Sequence, residues 1–157
     1  MKLLKWLDEN IEAVILIILS ILTVVVIFVQ VFMRYVMHSS LTWSEELARY
    51  AFIWLVYIGV SYGVKKQAHI SVDALTWIVK RRGKFVLSIC ANIAVLVFSV
   101  LLTYFSFEVV AQINRLSPAM AIPLKYVYAA PLVGFLLTAI RVIQTMIIQT
   151  KTFRTGE

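Results

Sequence analysis

Cysteine, glycine and proline are all scarce in this sequence, which has one Cys, five Gly and three Pro in 157 residues. A single thiol excludes an internal disulfide framework and a cysteine metal site. Cys90 lies within an apolar run, which predicts a buried and unreactive thiol. The short motifs of phosphate-binding loops, zinc proteases, serine hydrolases and dithiol centres are also missing. We therefore predict a protein that is not an enzyme and that binds no cofactor itself.

Charged residues are few as well, at 15% of the chain against 62% hydrophobic residues and a mean hydropathy of +0.91. These values are typical of an integral membrane protein and not of a soluble domain. The net charge of +7 could indicate a nucleic-acid partner, but the basic residues lie in the gaps between apolar runs. Such charges anchor a membrane protein on its cytoplasmic side, so membrane lipids are the expected partner and nucleic acid is not.

The apolar runs predict an all-α integral membrane fold, one domain over residues 1–157 with four transmembrane helices at about 13–33, 45–64, 85–110 and 126–149. The first run has 21 uncharged residues, and at about 1.5 Å per residue it reaches roughly 30 Å, the thickness of a hydrocarbon core. Residues 1–12 are expected to form an amphipathic lead-in at the membrane surface, with Trp6 among the headgroups. Three acids and the lack of a small-residue cleavage site argue against a signal peptide.

The second span depends on charged residues at its start. Only 15 uncharged residues separate Arg49 from Lys65, about 22 Å of helix, which is short for a full crossing. Thr42 and Glu45 fit a capping box, in which a hydroxyl and a carboxylate bond the free N–H groups of a helix start. Glu45 and Arg49 are four apart and can pair on one helix face. We therefore expect this helix to begin near the outer membrane surface.

The connection from Lys65 to Lys84 sets the predicted topology, because it holds six basic residues and one acid. The positive-inside bias places this connection and both termini in the cytoplasm. A short amphipathic helix at about 71–82 is expected along that surface. Arg141, toward the inner end of the fourth span, could snorkel to the same side. The residues predicted to anchor the chain at the interface are Trp6, Lys65, Lys66, Trp77, Arg81, Arg82 and Lys84.

Few polar side chains lie within the predicted spans, and no ionisable residue is expected near the middle of any of them. Ion-coupled carriers usually need such a residue, so the chain is not expected to bind a coupling ion. Asn92 is interpreted as a hydrogen-bonding contact between helices rather than a ligand. His69 and Asp73 have metal-ligand spacing, but two ligands are too few for a metal site. We predict instead that His69, Ser71 and Asp73 structure their loop.

Residues 34–75 carry a recognisable pattern. Arg34-Tyr35 is followed by Trp43-Ser44-Glu45-Glu46-Leu47-Ala48-Arg49, then by Phe52-Ile53-Trp54 and Gly59, and last by His69-Ile70-Ser71-Val72-Asp73. This order resembles the signature of the DctQ-type family, the small membrane subunits of tripartite ATP-independent periplasmic (TRAP) transporters. Outside this stretch the likeness rests on topology alone. The short polar segment between Tyr35 and Trp43 departs from the pattern, so its details are not carried over.

The resemblance implies a supporting role in import. In this family a large multi-span subunit holds the substrate and sodium sites and moves them across the bacterial inner membrane by an elevator-like motion. A soluble periplasmic protein delivers the substrate, typically an organic acid such as sialic acid or a C4-dicarboxylate. The small subunit would widen the static scaffold, and it can help to dock the periplasmic protein. The residues expected at these interfaces are Arg34, Tyr35, Trp43, Glu45, Glu46, Arg49 and Trp54.

Four other interpretations compete with parts of this one. Arg34 could be a simple interface anchor rather than a member of a charge cluster with Glu45, Glu46 and Arg49. The chain could also be a small subunit of another membrane complex, or an autonomous four-helix multidrug exporter. Such an exporter needs a carboxylate in the middle of its first span, whereas Glu12 precedes that span. A haem-binding subunit would need paired membrane histidines, and the two histidines here fall in connections on opposite sides.

Overall fold

Four long helices make up most of the computed structural model, which describes residues 2–66 and 81–155, with side chains for residues 10–66, 83 and 85–151. Helix α1 is Lys2–Tyr35, α2 is Thr42–Lys65, α3 is Arg81–Gln112 and α4 is Lys125–Thr155. All four are long and apolar enough to cross a membrane. The predicted all-α fold with four membrane-spanning helices is therefore confirmed. The amphipathic helix expected at 71–82 falls largely outside the described residues.

Helix α1 joins the lead-in and the first span into one continuous element of 34 residues. Neither glycine nor proline occurs between Lys2 and Tyr35, so nothing in the sequence interrupts the helical hydrogen bonding. The lead-in is thus a continuation of the first span rather than a separate surface helix. Glu12 therefore belongs to the same helix as the first span, and it is buried against the bundle.

Helix α2 begins without the predicted capping box. Thr42 is already helical, and the N-cap is Leu41, which has an extended backbone and makes no side-chain hydrogen bond. The Ser44 hydroxyl instead donates to the Leu41 carbonyl oxygen at 2.8 Å. The prediction was wrong because a shift of one residue in the helix start removes Thr42 from the capping position.

The helices pack in the spatial order α1, α2, α4, α3. Helices α2 and α4 therefore have a neighbour on each side, whereas α1 and α3 flank the bundle. Most of the buried apolar residues belong to the two middle helices, namely Ala48, Ala51, Ile58 and Val64 on α2 and Val127, Ala130 and Val142 on α4. The flanking helices expose long apolar surfaces of the kind that lipid tails or another membrane protein would cover.

Gly134 allows α4 to approach α2 closely. A Cβ atom at this position would lie 2.7 Å from both the Cβ atom and the carbonyl oxygen of Tyr57. Beside this contact the Tyr57 ring meets the Phe135 ring edge to face, with 5.4 Å between their centroids. Close backbone approach at small residues is how membrane helices gain van der Waals contact, since lipid provides no hydrophobic force between them.

Candidate functional site

Three helices bring charged side chains together at the end of the bundle where α2 finishes. The Glu12 Oε1 atom of α1 accepts hydrogen bonds from Arg141 Nε of α4 at 2.8 Å and from Ser61 Oγ of α2 at 3.2 Å. Lys65 Nζ, at the end of α2, lies 3.8 Å from Glu12 Oε2. Glu12 and Arg141 are only 2% and 7% exposed. We call Glu12, Lys65 and Arg141 the ion cluster.

The ion cluster holds two cations and one acid, so its formal charge is +1. Glu12 Oε2 is buried and accepts no hydrogen bond within the described residues, and the Lys65 ammonium is the cation beside it. A charge at membrane depth is tolerated when an opposite charge is held close to it. Glu12 therefore places a negative charge beside both cations. Its contacts tie α1 to both middle helices.

Arg141 lies deeper in the bundle than a residue that snorkels to the membrane surface would. It precedes Lys151 by ten residues, about 15 Å along α4, and its side chain is buried against Glu12. The expectation that Arg141 snorkels was therefore wrong, because a carboxylate inside the bundle meets its guanidinium. The expectation that span interiors hold no ionisable residue also needs correction. Arg141 Nη1 further donates to Gln144 Oε1 at 2.8 Å.

At the opposite end of the bundle, Glu46 of α2 binds the connection between α3 and α4. Its Oε2 atom accepts hydrogen bonds from Ser117 Oγ at 2.5 Å, from the Met120 amide at 2.9 Å and from the Ala119 amide at 3.2 Å. The connection is folded on itself, since the Ser117 amide donates to the Ile122 carbonyl at 2.9 Å. One carboxylate thus fixes the turn of the connection against α2.

The other residues predicted for a charged cluster do not join Glu46. Arg49 Nη2 lies 3.7 Å from Glu45 Oε1, and both side chains are well exposed, at 65% and 69%. Arg34 lies over the ring of Tyr35, 5.9 Å from its centroid, and makes no ion pair with either acid among the described residues. Trp43 is 42% exposed. The structure therefore separates Glu46, a half-buried carboxylate that binds the α3–α4 connection, from an exposed surface pair and an exposed arginine.

Two predictions about α3 have opposite outcomes. Asn92 Nδ2 donates to Gln149 Oε1 of α4 at 3.0 Å, so its predicted role as a contact between helices is confirmed. Ser88 Oγ donates to the same oxygen at 3.2 Å. Cys90 is exposed, so the prediction of a buried thiol was wrong. It lies on the outward side of a flanking helix, where an apolar surface faces away from the protein.

Some of the remaining predicted residues have described side chains, and others do not. Lys66 is exposed and places its Nζ atom 5.7 Å from the centroid of the Tyr62 ring. Trp54 of α2 is half-buried. Within the described residues no group of three His, Cys, Asp or Glu side chains could hold a metal ion. The predicted residues whose side chains fall outside the description are Trp6, His69, Ser71, Asp73, Trp77, Arg81, Arg82 and Lys84.

The contacts among the residues of the ion cluster were not predicted from the sequence. Glu12 and Arg141 are 129 residues apart, and each was assigned to the end of its own span. A signal was nevertheless available, since an arginine within a predicted membrane helix requires a partner. An acid at the border of another span was the natural candidate.

These features define a small polytopic membrane protein in which the Glu12 carboxylate binds Arg141 and lies beside Lys65 within the bundle. Over residues 23–152 the chain matches the family described as tripartite ATP-independent periplasmic transporters, DctQ component. The chain therefore belongs to this family, which comprises transporter subunits and not enzymes. The predicted resemblance is confirmed.

Three relatives show how the similarity is distributed. A TRAP transporter small permease protein of Haemophilus influenzae is 27% identical over 135 residues, which cover 85% of this chain and 81% of the relative. The sialic acid TRAP transporter permease protein SiaT of Haemophilus influenzae is 31% identical over 133 residues, which cover 84% of this chain and 21% of SiaT. The C4-dicarboxylate TRAP transporter small permease protein DctQ of Vibrio cholerae is 37% identical over 75 residues, covering 48% of this chain and 32% of the relative. This chain thus spans most of the first relative, but only about a fifth of SiaT and a third of DctQ.

Proposed function

We propose that this chain is the small, non-transporting membrane subunit of a TRAP transporter that imports an organic acid. The ion cluster is the observation that carries this proposal. Glu12 is 2% exposed and binds Arg141 at 2.8 Å, so its carboxylate is occupied by the protein itself. A carrier or exporter needs a carboxylate that can take up and release its ligand. The acid nearest to the first span here instead holds three helices together.

The proposed partner is a large multi-span membrane subunit. Support comes from SiaT, because a segment similar to this chain forms only 21% of that permease protein. A chain of this kind therefore works beside a much larger membrane protein. We further propose sodium-coupled symport through an elevator-type large subunit, with a periplasmic binding protein that delivers the substrate. The names of the relatives favour sialic acid or a C4-dicarboxylate as that substrate.

The proposed surface for the binding protein includes the exposed residues around the start of α2. Trp43, Glu45 and Arg49 are exposed there, so they can reach a partner. Glu46 acts differently, because its carboxylate organises that connection. Arg34, Tyr35 and Trp54 remain proposed contact residues of the same end of the bundle. His69, Ser71 and Asp73 remain proposed loop-structuring residues.

The proposed orientation places both termini and the ion cluster at the cytoplasmic side of the bacterial inner membrane. Lys66 and Ala119 are both exposed and lie at opposite ends of the bundle. In a Cys90→Ser background, Ala119→Cys should react with a membrane-impermeant thiol reagent added to the periplasmic side. Lys66→Cys should react only after the membrane is opened. The reverse labelling pattern would overturn the orientation.

Transport assays test whether this chain needs the large subunit and the binding protein for uptake. The purified chain, reconstituted alone into liposomes with a sodium gradient, should take up neither sialic acid nor a C4-dicarboxylate. Together with the large subunit and the binding protein, it should support uptake of the appropriate acid. Uptake by this chain alone would refute the proposed function.

A further inference from the structure

Helix α4 exposes an apolar stripe that contains one amide side chain. Leu136, Ile140, Ile143 and Ile147 are 49%, 45%, 46% and 50% exposed. Their spacing of three and four residues places them on one face of the helix. Gln144 is exposed on the same face. We call these five residues the Gln144 stripe.

The ion cluster fixes the orientation of the Gln144 amide. Arg141 Nη1 donates to Gln144 Oε1 at 2.8 Å, and a guanidinium has donors only. The amide oxygen must therefore face Arg141, which leaves the NH2 group with its two N–H donors directed away from it. Arg141 is itself held by Glu12 at 2.8 Å, so the amide cannot turn without breaking its part-buried bond to Arg141.

The position of this amide makes an unpaired donor costly. Gln144 precedes Lys151 by seven residues, about 10 Å along α4, which places it below the headgroup region of a membrane. Within the described residues the Gln144 side chain makes the one hydrogen bond to Arg141. A polar group without a partner in hydrocarbon is strongly unfavourable. The polar groups of Ser88 and Asn92, by contrast, bind Gln149 inside the bundle.

We propose that the Gln144 stripe is the docking surface for a transmembrane helix of the large subunit, and that Gln144 donates a hydrogen bond to an oxygen acceptor on that helix. The inference rests on the proposed function. The NH2 group of Gln144 has donors only, so the partner must supply an acceptor. Lipid tails offer no acceptor at this depth, and small or hydroxyl-bearing residues on the partner helix would permit the close approach needed.

The shape of the inner end of α4 agrees with such a contact. An open pocket lined by Met146, Ile147, Thr150 and Lys151 adjoins the stripe. This depression can receive a side chain of the partner helix, while the isoleucines of the stripe pack along it. The contact surface therefore joins an oriented donor, an apolar stripe and a pocket on one helix.

Photo-crosslinking within the co-expressed complex tests the location of this surface. A photoreactive amino acid at Ile143 or Ile147 should form an adduct with the large subunit. Ile93 and Val97 of α3 are matched controls, since they are 45% and 54% exposed on a flanking helix, and they should form no such adduct. Adducts from α4 with lipid alone, or with a second copy of this chain, would overturn the inference.

Substitution of the donor tests its energetic role. Hydrogen bonds between membrane helices contribute about 0.6 and at most about 1.7 kcal/mol, so Gln144→Leu should weaken association with the large subunit roughly 3- to 15-fold. Ile147→Trp should also weaken association by obstructing the contact, whereas Val97→Trp on α3 should not. Unchanged association in both α4 variants would refute the docking surface. Failure of the unmodified chain to associate with any large subunit would instead refute the proposed function.

Discussion

Replacement of Glu12 by Gln should be the most damaging conservative substitution in the described part of the chain. The wild-type cluster has a formal charge of +1, and Glu12→Gln raises it to +2 without changing the size of the side chain. Arg141 Nε is 2.8 Å and Lys65 Nζ is 3.8 Å from this carboxylate, so both cations lose an adjacent negative charge. Removal of one partner of a buried ion pair costs about 3–5 kcal/mol, or roughly a hundred- to several-thousand-fold in the folding equilibrium.

The same charge count predicts that the two partners are not equivalent. Arg141→Leu leaves Glu12 with Lys65 and a cluster charge of zero, so it should destabilise the protein less than Glu12→Gln. The double variant leaves Lys65 as the remaining cation. Its side chain is 17% exposed at the end of α2, so it can turn toward the membrane surface. The double variant should therefore be more stable than Glu12→Gln alone.

Thermal unfolding in a mild detergent, followed by the loss of monodisperse protein, measures these differences. A short thiol crosslinker between cysteines at Leu16 and Gly59 reports the position of α1, because a Cβ atom at Gly59 would lie 3.8 Å from Leu16 Cδ2. Crosslinking should fall in Glu12→Gln and recover partly in the double variant. Glu45→Gln, in an exposed pair, is the matched control and should change neither readout. Additive effects of Glu12→Gln and Arg141→Leu, or an effect no larger than that of Glu45→Gln, would refute the reasoning.

Three further predictions concern other contacts within the bundle. Gly134→Ala should destabilise the detergent-solubilised protein by about 1–3 kcal/mol, because its Cβ atom would meet Tyr57. A Cβ atom at Gly63 would meet nothing within 4 Å, so Gly63→Ala should be neutral in the same thermal assay. Glu46→Ala should speed hydrogen exchange at the Met120 amide, and Glu45→Ala should leave that rate unchanged; equal rates in both variants would contradict the role of Glu46. Asn92→Leu should lower the free energy of unfolding by about 0.6 kcal/mol, and by at most about 1.7 kcal/mol, as for other polar contacts between membrane helices. A more stable variant would contradict a stabilising role of this contact.

Hydropathy predicted the helices because every membrane span must satisfy its backbone hydrogen bonds within itself. This constraint is local, so runs such as residues 13–33 and 85–107 are visible in the sequence without knowledge of packing. The orientation of side chains is not local. Cys90 was misassigned because an apolar side chain of a membrane helix can face either the bundle or the lipid, and hydropathy is the same for both. Asn92 was easier, since an amide in a span requires a partner.

The candidate sites depended on contacts between residues far apart in sequence. Glu46 was correctly singled out within a distinctive stretch, but its partners lie about 70 residues later in a connection whose turn could not be derived from composition. Glu12 and Arg141 were each interpreted from their position along a single span. What links them is the order of helices in space, which the sequence pattern does not specify.

That order follows from the polar contacts rather than from apolar area. Lipid tails solvate the exposed isoleucines of α1 as well as another helix would, so apolar surface alone cannot select the neighbours of a membrane helix. Glu12 determines the neighbours of α1, because its carboxylate accepts hydrogen bonds from Ser61 of α2 and Arg141 of α4. Asn92 and Gln149 provide the corresponding contact between α3 and α4. A subunit fixed by such internal pairs can present its apolar surfaces in constant positions, as the proposed docking surface on α4 requires.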